Sequence, residues 1–315
     1  MNDTPDRDLD VLVLGDARPD LWLRGEHAGD VIFDDRGRVV EHASLELGGG
    51  GAVACVALAR LGLHTAFVGA VGDDAFGRFV LEELEREGVE VGGMHVAPDR
   101  ATGVSVVLTR GSDHAILAAP GAVAQLRGEH VDRRLVERAR HVHVTSYFVQ
   151  TGLQADVPSL FAAAKAGGAT TSIDPNEDPT DRWEGGLFGA LDRTDVLFPN
   201  SSEVRRITGI DDVDIGAESL AEHGTTIAVK FGQGGGMVVH AGGSLRVEAV
   251  SVDVVDRTGA GAAFDAGYLS GMLRGWSSER CLRLAVGCGG LAVRASGSTS
   301  ALPTMDQALA AVGGA

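Results

Sequence analysis

Val254-Val255-Asp256-Arg257-Thr258-Gly259-Ala260-Gly261-Ala262-Ala263-Phe264-Asp265-Ala266-Gly267 is the stretch on which the reading of the whole chain turns. The apolar run at 250–255 is predicted as a strand that enters a tight turn of small residues, with a helix starting at about Gly261. A helix start leaves its first-turn N–H groups without intrahelical partners, and the helix dipole favours negative charge there. Gly259, Ala260 and Gly261 leave room for a phosphate to approach the backbone. A lone GxG in such a turn is ordinarily packing. Here an acid, a threonine and three small residues stand in fixed order, which points to an anion site.

Outward from that turn the chain alternates strands and helices. Residues 11–15 form a short apolar run ending in Gly-Asp, the pattern of a buried first strand. Four glycines, Gly48 to Gly51, open into an amphipathic helix at 52–61 that Gly62 stops. A strand at 65–71 and a helix at 76–87 follow. Strand patterns at 141–145, 170–174, 196–198, 226–230 and 237–240 then alternate with helical ones at 153–166 and 202–208, and a last helical region covers 278–295. This alternation predicts an α/β fold with a doubly wound, mostly parallel sheet.

Two stretches stand apart. Residues 21–47 mix charges with short apolar alternations (Val31-Ile32-Phe33 and Val39-Val40), and 102–109 with 114–118 predict a hairpin around Arg110-Gly111-Ser112-Asp113. Together they are expected to form a small β-sheet lid, about 17–47 and 100–120, on a single domain over 1–315. No internal repeat or low-complexity linker interrupts it.

Composition excludes several classes. A net charge of −17 argues against nucleic acid and anionic membrane as partners, because both call for clustered Lys and Arg. Lysine is confined to Lys165 and Lys230. Cys55, Cys281 and Cys288 have no metal-type spacing and fall in predicted helices, so a disulfide framework is not expected. The acidic N-terminus lacks the apolar core of a signal peptide, and no apolar run reaches spanning length. A cytoplasmic protein is expected. The histidines are scattered, with His141 and His143 alternating on a strand so that one faces the core, and GxSxG and GxxxxGK[ST] are both absent.

Asp256, Thr258, Gly259, Ala260, Gly261 and Phe264 resemble the C-terminal signature of the ribokinase-like (PfkB-type) sugar kinases, written D-T-x-G-A-G-D-x-F. The run 47–52, with 57–62 and 68–77, resembles the same family's N-terminal signature, so the resemblance extends from about residue 10 to 304. It implies that the amides of Gly259, Ala260 and Gly261 form the anion hole for the transferred phosphoryl group. Gly48 and Gly49 would let sugar hydroxyls reach the backbone, and Asp20 would accept them, since a carboxylate takes two hydroxyls at fixed angles. Arg18 and Val53 stand where the family often has Asn facing the sugar, so ribose specificity does not follow.

On the nucleotide side the resemblance assigns Asn200 and Glu203 to an N-x-x-E motif that organises Mg²⁺ through water; without it, they are an N-cap and a first-turn acid. Lys230, Gly232 and Gly234 match a turn beside ATP, although Lys230 can also be read as a solvated strand end. Asp174-Pro175-Asn176 ends a strand at the same edge, and Thr258 belongs with the nucleotide. Residues 294–300 resemble a loop that, with Asp256, holds a monovalent cation such as K⁺ in some members. The family often dimerises through its lid, which makes a homodimer an expectation.

The base position departs from the pattern. Where the family has the Asp that takes the proton from the acceptor hydroxyl, this chain has Ala262. Phosphoryl transfer rests mainly on positioning and electrostatics, yet a carboxylate still orients the attacking hydroxyl. Alanine does neither. Asp265 lies one turn on and is a poor substitute because its side chain would have to point back towards the helix start. The chain is therefore expected to be inactive or nearly so, through a replaced base that traps substrate and nucleotide, or as a natural pseudokinase. The retained Asp256, Thr258, Asn200 and Glu203 favour the first. The expected parent activity is MgATP-dependent phosphorylation of a sugar or polyol hydroxyl. The alternatives are a nucleoside kinase, for which Trp22, Phe33 and Phe148 are the aromatic candidates, and a non-catalytic sugar- or nucleotide-binding protein.

Overall fold

The computed structural model describes residues 7–25, 39–110 and 113–313. In chain order the strands are β1 Leu9–Leu14, β2 Arg18–Arg24, β3 His42–Gly48, β4 Thr65–Val68, β5 Ala70–Gly72, β6 His95–Ala97, β7 Val104–Arg110, β8 Asp113–Ala119, β9 Ala139–Val144, β10 Thr170–Ile173, β11 Val196–Leu197, β12 Thr226–Lys230, β13 Gly236–His240 and β14 Gly243–Val247. The helices are α1 Gly50–Arg60, α2 Ala75–Arg86, α3 Arg133–Arg138, α4 Val157–Ala166, α5 Leu187–Leu191, α6 Ser201–Thr208, α7 Val213–Ala221, α8 Ala260–Leu273, α9 Ser278–Ala292 and α10 Met305–Ala311.

Eight strands form the main sheet in the order β14-β13-β12-β11-β10-β9-β1-β4. The pairs from β4 to β12 are parallel, and β12-β13-β14 are antiparallel. Side chains alternate between the sheet faces, so β1 sends Leu12 and Leu14 into one core and Val11 and Val13 into the other. Helices α3 to α7 cover the first face, while α1, α2, α8, α9 and α10 cover the second. Both faces are buried, which explains why these strands read as continuous apolar runs. His141 and His143 are both fully buried on β9, where one was expected in the core. They are accommodated by Thr170 Oγ1 and Ser172 Oγ at 2.6–2.7 Å.

A second sheet, in the order β3-β2-β7-β8, is built from the two stretches that stood apart in the sequence. The Val31–Phe33 run and the tip of the predicted hairpin, Gly111-Ser112, lie outside the described residues, and Val39-Val40 precede β3 without joining it.

Several local expectations need correction. The 250–255 segment is not a strand. It hangs from the end of α9, where the Val255 and Asp256 amides donate to Val293 O at 2.8 and 3.1 Å, and among the described residues no strand pairs with it. Val250, Val252 and Val254 line a cavity instead of a core, and Val254 and Val255 are 40% and 57% exposed. The strand expected at 65–71 breaks at Gly69 into β4 and β5. Strand β14 and helix α10 were not anticipated. The three cysteines are buried and free, and among the described residues no helix is long and apolar enough to cross a membrane.

Candidate active site

The strands β1, β9, β10, β11 and β12 end at one edge, where an open α/β sheet places its ligands. A cavity of 390 Å³ opens there. Arg18, Asp20, Ser105, Val107 and Ile116 of the small sheet face it on one side. Gly49, Gly50 and Val53 reach it from the start of α1, and Thr258, Gly259, Gly261 and Ala262 from the start of α8. Asp174, Asn176, Asn200, Glu203 and Lys230 come from the strand ends, with Ser298 from the C-terminal loop. A second cavity of 700 Å³ shares Lys230, Gly232 and Gly261 with the first and runs along the 249–254 segment to Ala260, Phe264 and α9.

At the first cavity's outer end Asp20 is 5% exposed. Its Oδ2 accepts from Ser298 Oγ at 3.1 Å, while its Oδ1 is buried and has no hydrogen-bond partner in the protein. Burial pushes the Asp20 carboxyl above the usual carboxylate range, with Arg18 opposing the shift. Gly48 allows this placement: a Cβ there would lie 2.0 Å from Asp20 Oδ2. Arg18 donates from Nε to Ser105 Oγ at 2.7 Å, and its Nη1 is paired with Asp16. The sequence reading missed Asp16 and Ser105. Ser105 pairs with Asp20 across β2 and β7, so its one signal was the alternation of the hairpin strand.

The inner end is built by two helix starts and a buried ion cluster. Gly259, at φ 81°, precedes α8 without a side-chain cap. A Cβ on it would come within 2.5 Å of Ser298 O and 3.3 Å of Val53 Cγ1, so the expected anion hole adjoins the acceptor residues directly. Lys230 is far from a solvated strand end. Its side chain is 12% exposed, and Nζ lies 3.2 Å from both Asp174 Oδ1 and Asp265 Oδ1. Burial works against its charge, but these carboxylates and Glu203 hold the ammonium protonated. Burial pushes Asp265 well above the usual range; at Asp174 burial is opposed by Lys230 together with Asp265 and His143, which keep it below. Asp265 is 1% exposed, is committed to Lys230 and lines neither cavity, so it is not placed to act as the substitute base.

Asn200 and Glu203 form a reciprocal capping box on α6: Asn200 Oδ1 accepts from Ser202 N and Glu203 N, and Glu203 accepts from Asn200 N at 2.8 Å. Glu203 nevertheless lines the cavity, and burial pushes it up to about 7. Capping and site placement coincide here. Ala262 lines the first cavity, and Ala260 lines the larger cavity alone. Three expected site residues lie outside both. Gly48 sits behind Asp20, Gly234 packs on Phe231, and Asp256 braces the turn by accepting from Thr258 N, Thr258 Oγ1 and Gly297 N.

Known proteins match this arrangement over nearly its full length. The sequence profile of the pfkB family carbohydrate kinases covers residues 8–305. A Halopiger xanaduensis protein named ATP-dependent ribose-1-phosphate kinase is 33% identical, over 94% of this chain and 95% of its own length. A Klebsiella pneumoniae fructokinase is 31% identical, over 91% of this chain and 97% of its own. An Escherichia coli protein solved with ATP and Mg²⁺ shares the fold with a TM-score of 0.84 at 24% identity, covering 96% of this chain and 99% of that one. The chain belongs to the pfkB family of carbohydrate kinases.

Proposed function

We propose that this chain binds a sugar or related polyol and MgATP side by side, on a scaffold for transferring the γ-phosphoryl group to an acceptor hydroxyl. The observation that carries this is the meeting of Asp20 and Arg18 with Gly259, Gly261 and Ala262 around one cavity. The small sheet acts as the lid over it. Asp20 orients the acceptor hydroxyls, and the first-turn amides of α8 take the charge that develops on the phosphoryl oxygens. The larger cavity suits the rest of the nucleotide, since its walls are apolar along 249–254 and α9 while Lys230 and Gly232 stand at its junction with the first.

Among the described residues no group of three or more His, Cys, Asp or Glu is arranged to hold a metal. Mg²⁺ would therefore arrive with the triphosphate and keep much of its water shell. Asp174 and Glu203 line the cavity in position to accept from that water. Both oxygens of Asp256 are already engaged, which explains the residue without a monovalent cation.

Ala262 removes the group that would take the hydroxyl proton, and nothing else beside it supplies one. The test is ADP release by the chain as given and by Ala262→Asp, over a panel of sugars, polyols and nucleosides with MgATP. Turnover by the Asp form alone identifies Ala262 as the missing base, and the active panel member gives the acceptor class. Silence in both forms favours the binding-protein reading, and equal activity overturns the assignment of the base. A nucleoside acceptor has less support: Trp22 is 1% and Phe148 5% exposed, and neither lines either of the two cavities, while Phe33 lies outside the described residues.

We further propose a homodimer through the lid. Leu45, Leu21, Val106 and Leu117 stand in register across its four strands, opposite the cavity face. Leu45 and Leu117 are 41% and 60% exposed, an aliphatic row that a second copy would cover. Light scattering should give a dimer for the native chain and a monomer for Leu117→Asp; a native monomer removes the proposal. The three buried thiols suit a reducing compartment, and we place the protein in the cytoplasm.

A further inference from the structure

Each cation of the acceptor cavity is already clamped between two carboxylates. Lys230 lies between Asp174 and Asp265. Arg18 lies between Asp16, which its Nη1 contacts, and Asp20, whose Oδ1 is 3.7 Å from Nε. Asp16 is 2% exposed and does not line the cavity. Its other oxygen accepts from the Gly51 amide at 3.2 Å, so it is held at both ends. The Arg18 side chain is 28% exposed, the side of the clamp that a ligand meets.

One guanidinium against two carboxylates leaves the outer end of the cavity with a charge of −1. A free arginine there would be a good receptor for a phosphorylated sugar, because its planar fork matches phosphate oxygens in pairs. This one is held by Asp16 through Nη1 and by Ser105 through Nε, so the plane of its fork is fixed before a ligand enters. Asp20 Oδ1, 3.7 Å from Arg18 Nε, is a buried acceptor without a hydrogen bond of normal length. A hydroxyl supplies the donor it lacks. A phosphate dianion supplies none and meets an excess of like charge.

We propose that the acceptor is an uncharged polyol, and that Asp16 sets this specificity by holding the Arg18 guanidinium away from phosphorylated sugars. Asp16 acts through Arg18, as a positioning residue. The inference rests on the reading of this cavity as the acceptor site, and it separates two of the kinds of acceptor for which relatives are named, a sugar phosphate and a free sugar.

The test is a calorimetric titration of the full chain with inorganic phosphate, run with and without saturating MgATP. The native chain is compared with Asp16→Asn, which keeps an oxygen for Gly51, and with Asp16→Asn/Arg18→Gln. Asp16→Asn should bind phosphate about tenfold or more tightly than the native chain, a gain that a loosened cavity wall does not give. The double variant should lose that gain. Equal phosphate affinity in native and Asp16→Asn overturns the proposal, as does a gain that survives without Arg18. Should Asp16→Asn fail to fold, Asp16→Ser takes its place.

A second arm pairs fructose with fructose 6-phosphate and ribose with ribose 1-phosphate. The native chain should bind the neutral member of a pair about tenfold more tightly, and Asp16→Asn should narrow the ratio. Tighter native binding of a phosphorylated member overturns the proposal. If neither pair binds, the phosphate arm decides alone. Failure to bind MgATP counts against the proposed function, whereas the comparison of Asp16→Asn with its double variant still reports on Asp16.

Discussion

Helices α1 and α8 open in the same way and are finished differently. Each follows a glycine with positive φ, Gly49 at 94° and Gly259 at 81°, and neither has a side-chain cap. Helices α2, α6, α7, α9 and α10 are capped conventionally by Asp74, Asn200, Asp212, Ser277 and Thr304. At α1 the protein closes the gap itself: Asp16 accepts from the Gly51 amide through Oδ1 and from the Ala52 amide through its carbonyl. At α8 the Ala260 amide donates to Arg257 O at 3.3 Å, and no side chain caps the rest of the turn. A helix start that its own chain satisfies is a wall for a neutral ligand. One left open suits an anion. On the proposed reading, the comparison divides the site into an acceptor half and a phosphoryl half.

The largest effect should come from the open helix start. Placing Asp at 262 puts a carboxylate where the two halves meet, and turnover should rise by about 10²- to 10⁴-fold, the usual contribution of a positioned base. Absence of a rise with acceptor and MgATP both bound would mean that the halves are not aligned for transfer.

Next in size is a matched pair of glycine substitutions. Gly49→Ala and Gly259→Ala each impose a left-handed conformation on alanine and place a Cβ at 2.6 Å from Asp16 O or 2.5 Å from Ser298 O. Each should lower stability by about 1–3 kcal/mol, read as a fall in Tm. MgATP affinity should separate them. Gly259→Ala should lose about tenfold or more, and Gly49→Ala should stay close to native. Equal losses would dissolve the distinction between the two helix starts.

How much of this was legible depended on the distance over which each contact acts. The α8 turn, the glycine run before α1 and the Asn200–Glu203 box are local: the first was legible from its own residues, and the resemblance marked the other two. The α/β alternation was legible for the same reason, since sheet faces buried on both sides leave apolar runs. Asp16 reaches Gly51 across 35 positions and Arg18 reaches Ser105 across 87, so nothing near either residue announced the clamp. Lys230 was open to reading as a solvated end because Asp265, 35 positions on, is joined to it only by the fold. The 250–255 run was misread because an apolar cavity wall and a buried strand have the same composition. Strand β14 was missed because its residues are half-buried or exposed and carry no core pattern.

The smallest effect concerns the shared wall between the halves, and its sign is fixed by Glu203. Burial pushes this carboxyl up from 4.5 to about 7, against the pull of Lys230. A carboxyl raised on folding binds its proton more tightly in the native state. Its contribution to stability is therefore complete below pH 4.5 and is lost as pH rises through about 7. Glu203→Gln removes the titration. Measured between pH 5 and 8, clear of the depressed Asp174, the Tm of the native chain should fall relative to that of Glu203→Gln. Nucleotide binding should run the opposite way. Metal-bound water needs the ionised carboxylate, so native MgATP affinity should rise by up to about tenfold between pH 6 and 8, the change in ionised fraction across a pKa of about 7. ATP also titrates in this range, but it does so equally with Glu203→Gln, and the difference between the two chains isolates the side chain. Parallel pH profiles in native and variant would leave Glu203 as the capping partner of Asn200 and nothing more, and would move the metal away from the helix that the N-x-x-E spacing singled out.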